Sequence, residues 1–197
     1  MKNKIKEIVP YIIIIVVVAL LRLYIITPEI VSGGSMENTL HDGEWILNSK
    51  ILYRYKDIER FDIVVIKKQN YLIIKRVIGL PGDYVEFKDN KLYINGEEVE
   101  DGYAKNDTNN FSLKDICYSC EVIPKDKYLV LGDNREISAD SRSKELGLVS
   151  KNNITGKAVF RLWPLNKFGL IWKNITIKWC FLSYWGTVVN WYNSIYK

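Results

Sequence analysis

The stretch Tyr71-Leu72-Ile73-Ile74-Lys75-Arg76-Val77-Ile78 decides how this chain folds. It is rich in β-branched residues, and Gly79-Leu80-Pro81-Gly82-Asp83 ends it sharply, so the pattern predicts a strand closed by a turn. Side chains alternate along a strand, which gives Lys75 the same face as Ile73 and Val77. A lysine on so apolar a face either reaches solvent from an edge strand or has a chemical role. The spacing alone favours the edge strand.

Strand signals recur on both sides of this stretch, while helical periodicity is weak beyond the N-terminal segment. Five further segments read as strands, and two of them flank Asp89-Asn90 as a hairpin. The segments are 61–66, the hairpin pair 84–87 and 92–94, 128–131 and 158–162. The polar stretch from about 97 to 114 reads as an exposed excursion. We predict a mainly β fold of small antiparallel sheets or a distorted barrel.

Composition limits the class of protein. The chain has 197 residues, of which 48% are hydrophobic, so it supports one packed domain and one membrane segment. The formal net charge is +5 and is spread along the chain without a run of five basic residues. This distribution argues against nucleic acid as a partner.

The segment from Ile8 to Ile26 is almost purely apolar and is close to the ~20 residues that cross a bilayer. Lysines precede it at positions 2, 4 and 6, and the positive-inside rule keeps them cytoplasmic. No small-x-small cleavage site follows at 27–31, so we expect a retained, single-pass anchor in the cell membrane. The lipid bilayer is therefore an expected partner.

The C-terminal residues carry four tryptophans, at 172, 179, 185 and 191, among several tyrosines. A second span is possible on length, but the interspersed polar residues favour a segment at the membrane interface. We therefore divide the chain into a cytoplasmic tip with the anchor at 1–27, an extracytoplasmic domain at 28–170, and an interfacial tail at 171–197.

Cysteine and histidine are scarce. Cys117 and Cys120 form a C-x-x-C, Cys180 lies in the tail, and His41 is the sole histidine. These residues do not supply a zinc site, and we predict no metal and no cofactor. On an extracytoplasmic face the pair is expected either as a disulfide or as two ordinary thiols.

A candidate nucleophile lies in the run Ser32-Gly33-Gly34-Ser35-Met36-Glu37-Asn38-Thr39-Leu40. The two glycines allow a tight turn whose backbone N–H groups approach an incoming carbonyl. With only one histidine in the chain, the best base for Ser35 is Lys75. Burial would lower the pKa of that lysine, of which only about 0.1% is neutral at pH 7 when unperturbed. An isolated run of this kind is otherwise typical of a surface loop.

The segment Gly132-Asp133-Asn134-Arg135-Glu136-Ile137-Ser138-Ala139-Asp140-Ser141-Arg142 follows a buried strand and is dense in charge and hydroxyl groups. It is either a solvated turn or a polar network that orients a base and fixes a loop.

Taken together, the motifs resemble those of type I signal peptidases, which are membrane-anchored serine proteases that remove signal peptides from exported proteins. The likeness covers roughly residues 28–170, and it rests on S-x-x-S-M-x-x-T-L, F-D-I-V-V-I-K, K-R-V-I-G-L-P-G-D and G-D-N-R-x-x-S-x-D-S-R in that order.

The resemblance implies a signal-peptidase-like fold and a role for each motif residue. Ser35 would be the nucleophile and Lys75 the general base. Ser138 would hydrogen-bond and orient Lys75, and Asp140 with Arg142 would form a supporting ion pair. The pocket for the small residue before the scissile bond would be lined by Val31, Met36, Leu40 and Ile74. Extended backbone at 29–34 and 71–74 would hold the substrate as an added strand.

Two positions depart from the family pattern. Asn38 replaces the proline usual in S-M-x-P-T-L, which is expected to loosen the turn. Gly33 stands where some members place a serine that completes the oxyanion hole. The implied function is cleavage of signal-peptide-bearing precursors by a Ser–Lys dyad. The alternatives are a related peptidase that matures one dedicated secretion or conjugation substrate, and a non-catalytic β module that binds peptides.

Overall fold

The structure, a computed structural model, describes residues 2–171. Its N-terminal helix α1 spans Lys2–Tyr24, and the side chains from Ile8 to Leu20 are exposed. In the described part of the chain, no helix combines the length and apolar character needed to cross a bilayer. The predicted tail from residue 172 onward lies outside the described residues.

Beyond α1, the described chain is dominated by short strands. Its two other α-helices are single turns, α2 Leu52–Tyr55 and α3 Leu113–Ile116, and 3₁₀ turns cover Lys151–Asn153 and Leu165–Lys167. The strands are, in chain order, β1 Ile26–Ile30, β2 Trp45–Ser49, β3 Ile63–Lys68, β4 Tyr71–Gly79, β5 Val85–Lys88, β6 Lys91–Ile94, β7 Glu97–Val99, β8 Phe111–Ser112, β9 Lys127–Leu131, β10 Val149–Ser150, β11 Ile154–Trp163 and β12 Gly169–Leu170.

The strands form two antiparallel sheets. The larger has the order β1-β2-β11-β3-β4-β9-β10, with β12 paired to β11, and the smaller has the order β7-β6-β5-β8. The predicted mainly β, antiparallel fold is confirmed. The predicted hairpin is β5–β6, and Asp89 and Asn90 take φ values of +49° and +62°, which suit the two-residue turns of hairpins.

The expectation of an exposed excursion at 97–114 holds for most positions, which are exposed or partly exposed, but it fails at two of them. This segment contains β7 and β8, and Thr108 and Leu113 within it are buried. Leu113 packs into the apolar cluster under the smaller sheet, and the Thr108 hydroxyl accepts a hydrogen bond from the buried Arg135. Polar composition therefore predicted the exposure of most of this segment but not the burial of Thr108 and Leu113. Cys117 and Cys120, which follow α3, form a disulfide.

Two strand edges lie open beside the Ser35 turn, the name used here for residues 32–40. The first half of β4, Tyr71–Lys75, pairs with β3, and pairing with β9 starts only at Arg76. Among the described strands, β1 pairs with β2 alone. Extended peptides can add to sheets at edges of this kind, because the backbone groups there lack a neighbouring strand.

Candidate active site

Ser35 and Lys75 meet although they are 40 residues apart. Lys75 Nζ donates to Ser35 Oγ at 2.7 Å, and Lys75 is only 4% exposed. The Ser35 turn is closed by three backbone bonds, from Glu37 N to Gly34 O at 3.1 Å and from Thr39 N and Leu40 N to Met36 O at 3.0 and 2.8 Å. The turn therefore presents the serine hydroxyl to the lysine of β4.

Burial shifts the protonation equilibrium of Lys75 toward the neutral amine. Loss of hydration lowers the pKa of Lys75 to about 8, while the nearby carboxylates of Asp140 and Asp133 oppose part of that shift. About a tenth of the lysine is then neutral at pH 7, against about 0.1% of an ordinary lysine. A neutral amine within hydrogen-bond distance of a serine hydroxyl can accept its proton.

A cavity of about 100 Å³ adjoins this pair, between the chain at 29–33 and the open edge of β4. Val31, Met36 and Ile74, three of the four residues expected to line the substrate pocket, line this cavity. Leu40, the fourth expected residue, does not line the cavity. It is fully buried in an apolar cluster with Val31 and Met36, because the hydrogen bond from its N–H to Met36 O turns it into the core. The space suits a small side chain.

Ser138 lies beside the Ser35 turn. A Cβ placed on Gly132 would overlap both Ser138 Oγ and Ser35 O, which shows how closely these groups approach. Ser138 Oγ is buried and has no hydrogen-bond partner among residues 2–171, so the expected bond to Lys75 is not made in this structure. Its role in orienting the lysine stays a prediction.

Asp140 and Arg142 come together as the resemblance implied. Arg142 Nε and Nη2 donate to the two carboxylate oxygens of Asp140, both at 2.8 Å, and Asp140 is fully buried. Asp140 Oδ2 also accepts the Gly132 N–H at 3.0 Å. The pair thus fixes the loop that carries Ser138 against the end of β9.

The sequence that carries this site has relatives among known proteins. Residues 4–163 match the family model described as signal peptidase, peptidase S26. The chain is 40% identical over 182 residues to signal peptidase IB of Staphylococcus aureus (strain COL), covering 83% of this chain and 93% of that protein. It is 40% identical over 173 residues to signal peptidase I of Bacillus licheniformis, covering 84% and 92%. The chain belongs to the signal peptidase family, peptidase S26.

The resemblance drawn from the four motifs is thereby confirmed. A solved signal peptidase I from Enterococcus faecalis V583 is also similar, at 36% identity and a TM-score of 0.46, covering 52% of this chain and 97% of that one.

This member of the signal peptidase family holds its Ser35 turn with an ion pair that the sequence analysis missed. Arg76 donates to Asp133 through Nε at 2.8 Å and Nη2 at 2.7 Å, and both side chains are buried. The Thr39 hydroxyl donates to Asp133 Oδ2 at 2.5 Å. One signal was available: Arg76 directly follows Lys75 in an apolar strand, where a second cation needs a buried partner.

The two departures from the family pattern have a structural basis. Asn38 has a φ of +101°, a left-handed value that proline, with φ fixed near −65°, does not adopt. Asparagine tolerates such values better than most residues. Gly33 also has a positive φ, +84°, and its N–H donates to Asp42 Oδ1 at 2.7 Å.

Proposed function

We propose that this signal peptidase family member is a membrane-anchored serine endopeptidase that cleaves N-terminal signal peptides from exported precursors. The observation that carries the proposal is the 2.7 Å contact of a buried Lys75 with Ser35 Oγ. In this proposal Ser35 is the nucleophile and Lys75 the general base. Homologues named signal peptidase I and IB support the same activity.

The reaction follows from these two groups. Neutral Lys75 accepts the hydroxyl proton as Ser35 Oγ bonds to the scissile carbonyl carbon. The charged lysine then returns the proton to the leaving amine as the carbon–nitrogen bond breaks, which leaves an ester on Ser35. Lys75 next deprotonates a water that attacks the ester, and the serine hydroxyl is restored. Backbone N–H groups of the Ser35 turn stabilise the developing oxyanion.

Substrate recognition uses the open edges beside the site. The precursor adds as an extended strand between residues 29–34 and 71–74, and the residue before the scissile bond enters the cavity lined by Val31, Met36 and Ile74. A space of about 100 Å³ favours small side chains there. Ser138, with the ion pair of Asp140 and Arg142, positions Lys75.

The proposal includes the membrane topology expected from the sequence. Residues 1–27 form a cytoplasmic tip and a single-pass anchor, 28–170 an extracytoplasmic catalytic domain, and 171–197 an interfacial tail. The exposed apolar side chains of Ile8–Leu20 support an anchor, since water is a poor solvent for such a surface. A precursor held in the same bilayer meets the site at a raised effective concentration.

The test is cleavage of a model preprotein by the full chain in detergent. Wild type should release the mature protein, and Ser35→Ala and Lys75→Ala should each reduce the rate by about 10³-fold or more. Lys91→Ala, at an exposed lysine of the smaller sheet, is the matched control. Cleavage by Lys75→Ala at the wild-type rate would contradict the dyad. A wild type that cuts one dedicated substrate but no generic precursor would show the alternative function, a peptidase that matures a single substrate.

A further inference from the structure

The segment Tyr103–Lys105, named here the strap, joins the smaller sheet to the Ser35 turn. Lys105 Nζ contacts Glu37 Oε2 at 2.6 Å. Asn38 Nδ2 donates to the backbone oxygen of Tyr103 at 3.1 Å. Two successive residues of the turn, the second and third after Ser35, are therefore each bound by the strap.

The strap is itself firmly held. The Tyr103 ring lies 3.8 Å from the Arg76 guanidinium and 5.1 Å from the Phe61 ring. The Lys105 N–H donates to Asp133 O at 2.7 Å. Because Arg76 and Asp133 are the buried ion pair next to Lys75, the strap contacts the buried part of the site.

The turn needs support from outside because of its backbone. Asn38 has a φ of +101°, and residues other than glycine persist in such conformations only when their surroundings fix them. The amides of Thr39 and Leu40 both donate to Met36 O around this strained residue. The strap contacts Asn38, the residue with the strained φ, and Glu37, the residue before it. These contacts fix the direction in which the turn leaves Ser35.

We propose that Lys105, Glu37 and Asn38 are positioning residues of the peptidase, which hold the Ser35 turn so that Ser35 Oγ stays within reach of Lys75. The inference rests on the proposed function and gives the smaller sheet a part in it. Misplacing a nucleophile by about 1 Å costs on the order of 10²-fold in rate, so partial loosening costs less. The Glu37 side chain has a second contact, from Asn134 Nδ2 at 3.3 Å.

The test separates positioning from folding. Asn38→Gly removes the amide donor and keeps the positive φ accessible, and Lys105→Met removes the ion pair. Each should lower kcat about tenfold while KM changes less than twofold, and Lys105→Arg should recover most of the loss. Lys91→Met, which breaks the exposed Lys91–Glu98 pair at 2.9 Å in the same sheet, should leave kcat unchanged.

A loss of thermal stability with an unchanged kcat would show that the strap only stabilises the fold, and it would overturn the proposal. Hydrogen exchange of the full chain gives a readout independent of cleavage. In Lys105→Met the Thr39 and Leu40 amides should exchange about tenfold faster, and unchanged exchange would overturn the strap's hold on the turn. If the wild type had no peptidase activity but its Thr39 and Leu40 amides still exchanged more slowly than those of Lys105→Met, the proposed function would be contradicted and the strap's hold on the turn would not.

Discussion

Arg76 binds Asp133 through two hydrogen bonds, Nε to Oδ1 at 2.8 Å and Nη2 to Oδ2 at 2.7 Å, and both side chains are buried. Arg76 is the neighbour of Lys75 on β4, and Asp133 opens the loop that carries Ser138. Thr39 of the Ser35 turn also donates to Asp133. The three segments that build the site therefore share one buried charge pair.

Arg76→Met should strongly destabilise the fold, because it leaves the Asp133 carboxylate buried without its cation. The loss of unfolding free energy should be about 3–5 kcal/mol. Urea denaturation at pH 7 measures it. The double variant Arg76→Met/Asp133→Leu removes the orphaned charge and should regain much of the loss, whereas a single-variant loss below about 1 kcal/mol would show that the pair does not stabilise the site.

Peptidase activity should rise with pH. In the proposed mechanism only neutral Lys75 accepts the Ser35 proton, and burial lowers the pKa of Lys75 to about 8. We therefore expect kcat/KM to increase about tenfold per pH unit below pH 8 and to level off above it. His41→Gln, which removes the sole histidine, should keep this profile. A profile already flat from pH 6 upward would exclude Lys75 as the titrating base.

The same burial carries a cost in stability. The pKa of Lys75 is about 8 in the folded chain and near 10.5 when unfolded, so below pH 8 the folded state holds a poorly hydrated charge. Lys75→Met should raise the unfolding free energy at pH 7 by about 3 kcal/mol while abolishing activity. Between pH 8 and 10.5 the unfolded wild-type chain binds one more proton than the folded chain does. The unfolding free energy of the wild type should therefore rise with pH in this range, and its difference from that of the variant should shrink. Urea melts at pH 7 and 10 measure the gap, and a less stable variant at pH 7 would contradict it.

Local patterns predicted the parts of the fold and of the site that depend on short stretches. The strand around Lys75, the hairpin at Asp89-Asn90 and the turn at Ser35 each carry their information within a few residues. The Arg76–Asp133 pair spans 57 positions, and no local pattern identifies such a partner. Only the packing of β4 against β9 brings the two side chains together.

The polar stretch at 97–114 shows the limit of composition. Asp101 is charged, yet its carboxylate meets the buried Arg135 at 2.5 Å. The segment reads as solvated because its partners, such as Arg135 in the loop after β9, lie far away in the sequence. Asn38 shows the converse: its substitution for proline predicted a looser turn, whereas the structure gives it a left-handed φ and a bond to Tyr103 O.

Ile74→Ala should broaden the choice of residue before the scissile bond. Ile74 lines the cavity of about 100 Å³, and its truncation makes room for a larger side chain. The ratio of kcat/KM for a precursor with valine at that position to one with alanine should rise about tenfold or more. Val122→Ala, at an exposed position away from the cavity, is the control. An unchanged ratio would show that the substrate residue before the scissile bond does not bind in the cavity lined by Ile74.

Ser138→Ala should separate catalysis from stability. Ser138 Oγ is buried and lacks a hydrogen-bond partner within residues 2–171, so its removal breaks no bond and should leave the unfolding free energy unchanged or raise it by about 1 kcal/mol. After Ser35 attacks, the lysine ammonium needs a new acceptor, and the Ser138 hydroxyl is expected to supply it, so kcat should fall by at least tenfold. Ser141→Ala is the matched contrast, because Ser141 Oγ accepts the Val130 N–H at 2.9 Å and its loss should lower stability more than kcat. Urea melts and single-turnover cleavage of both variants measure the two effects, and a Ser138→Ala enzyme with wild-type kcat would remove Ser138 from the mechanism.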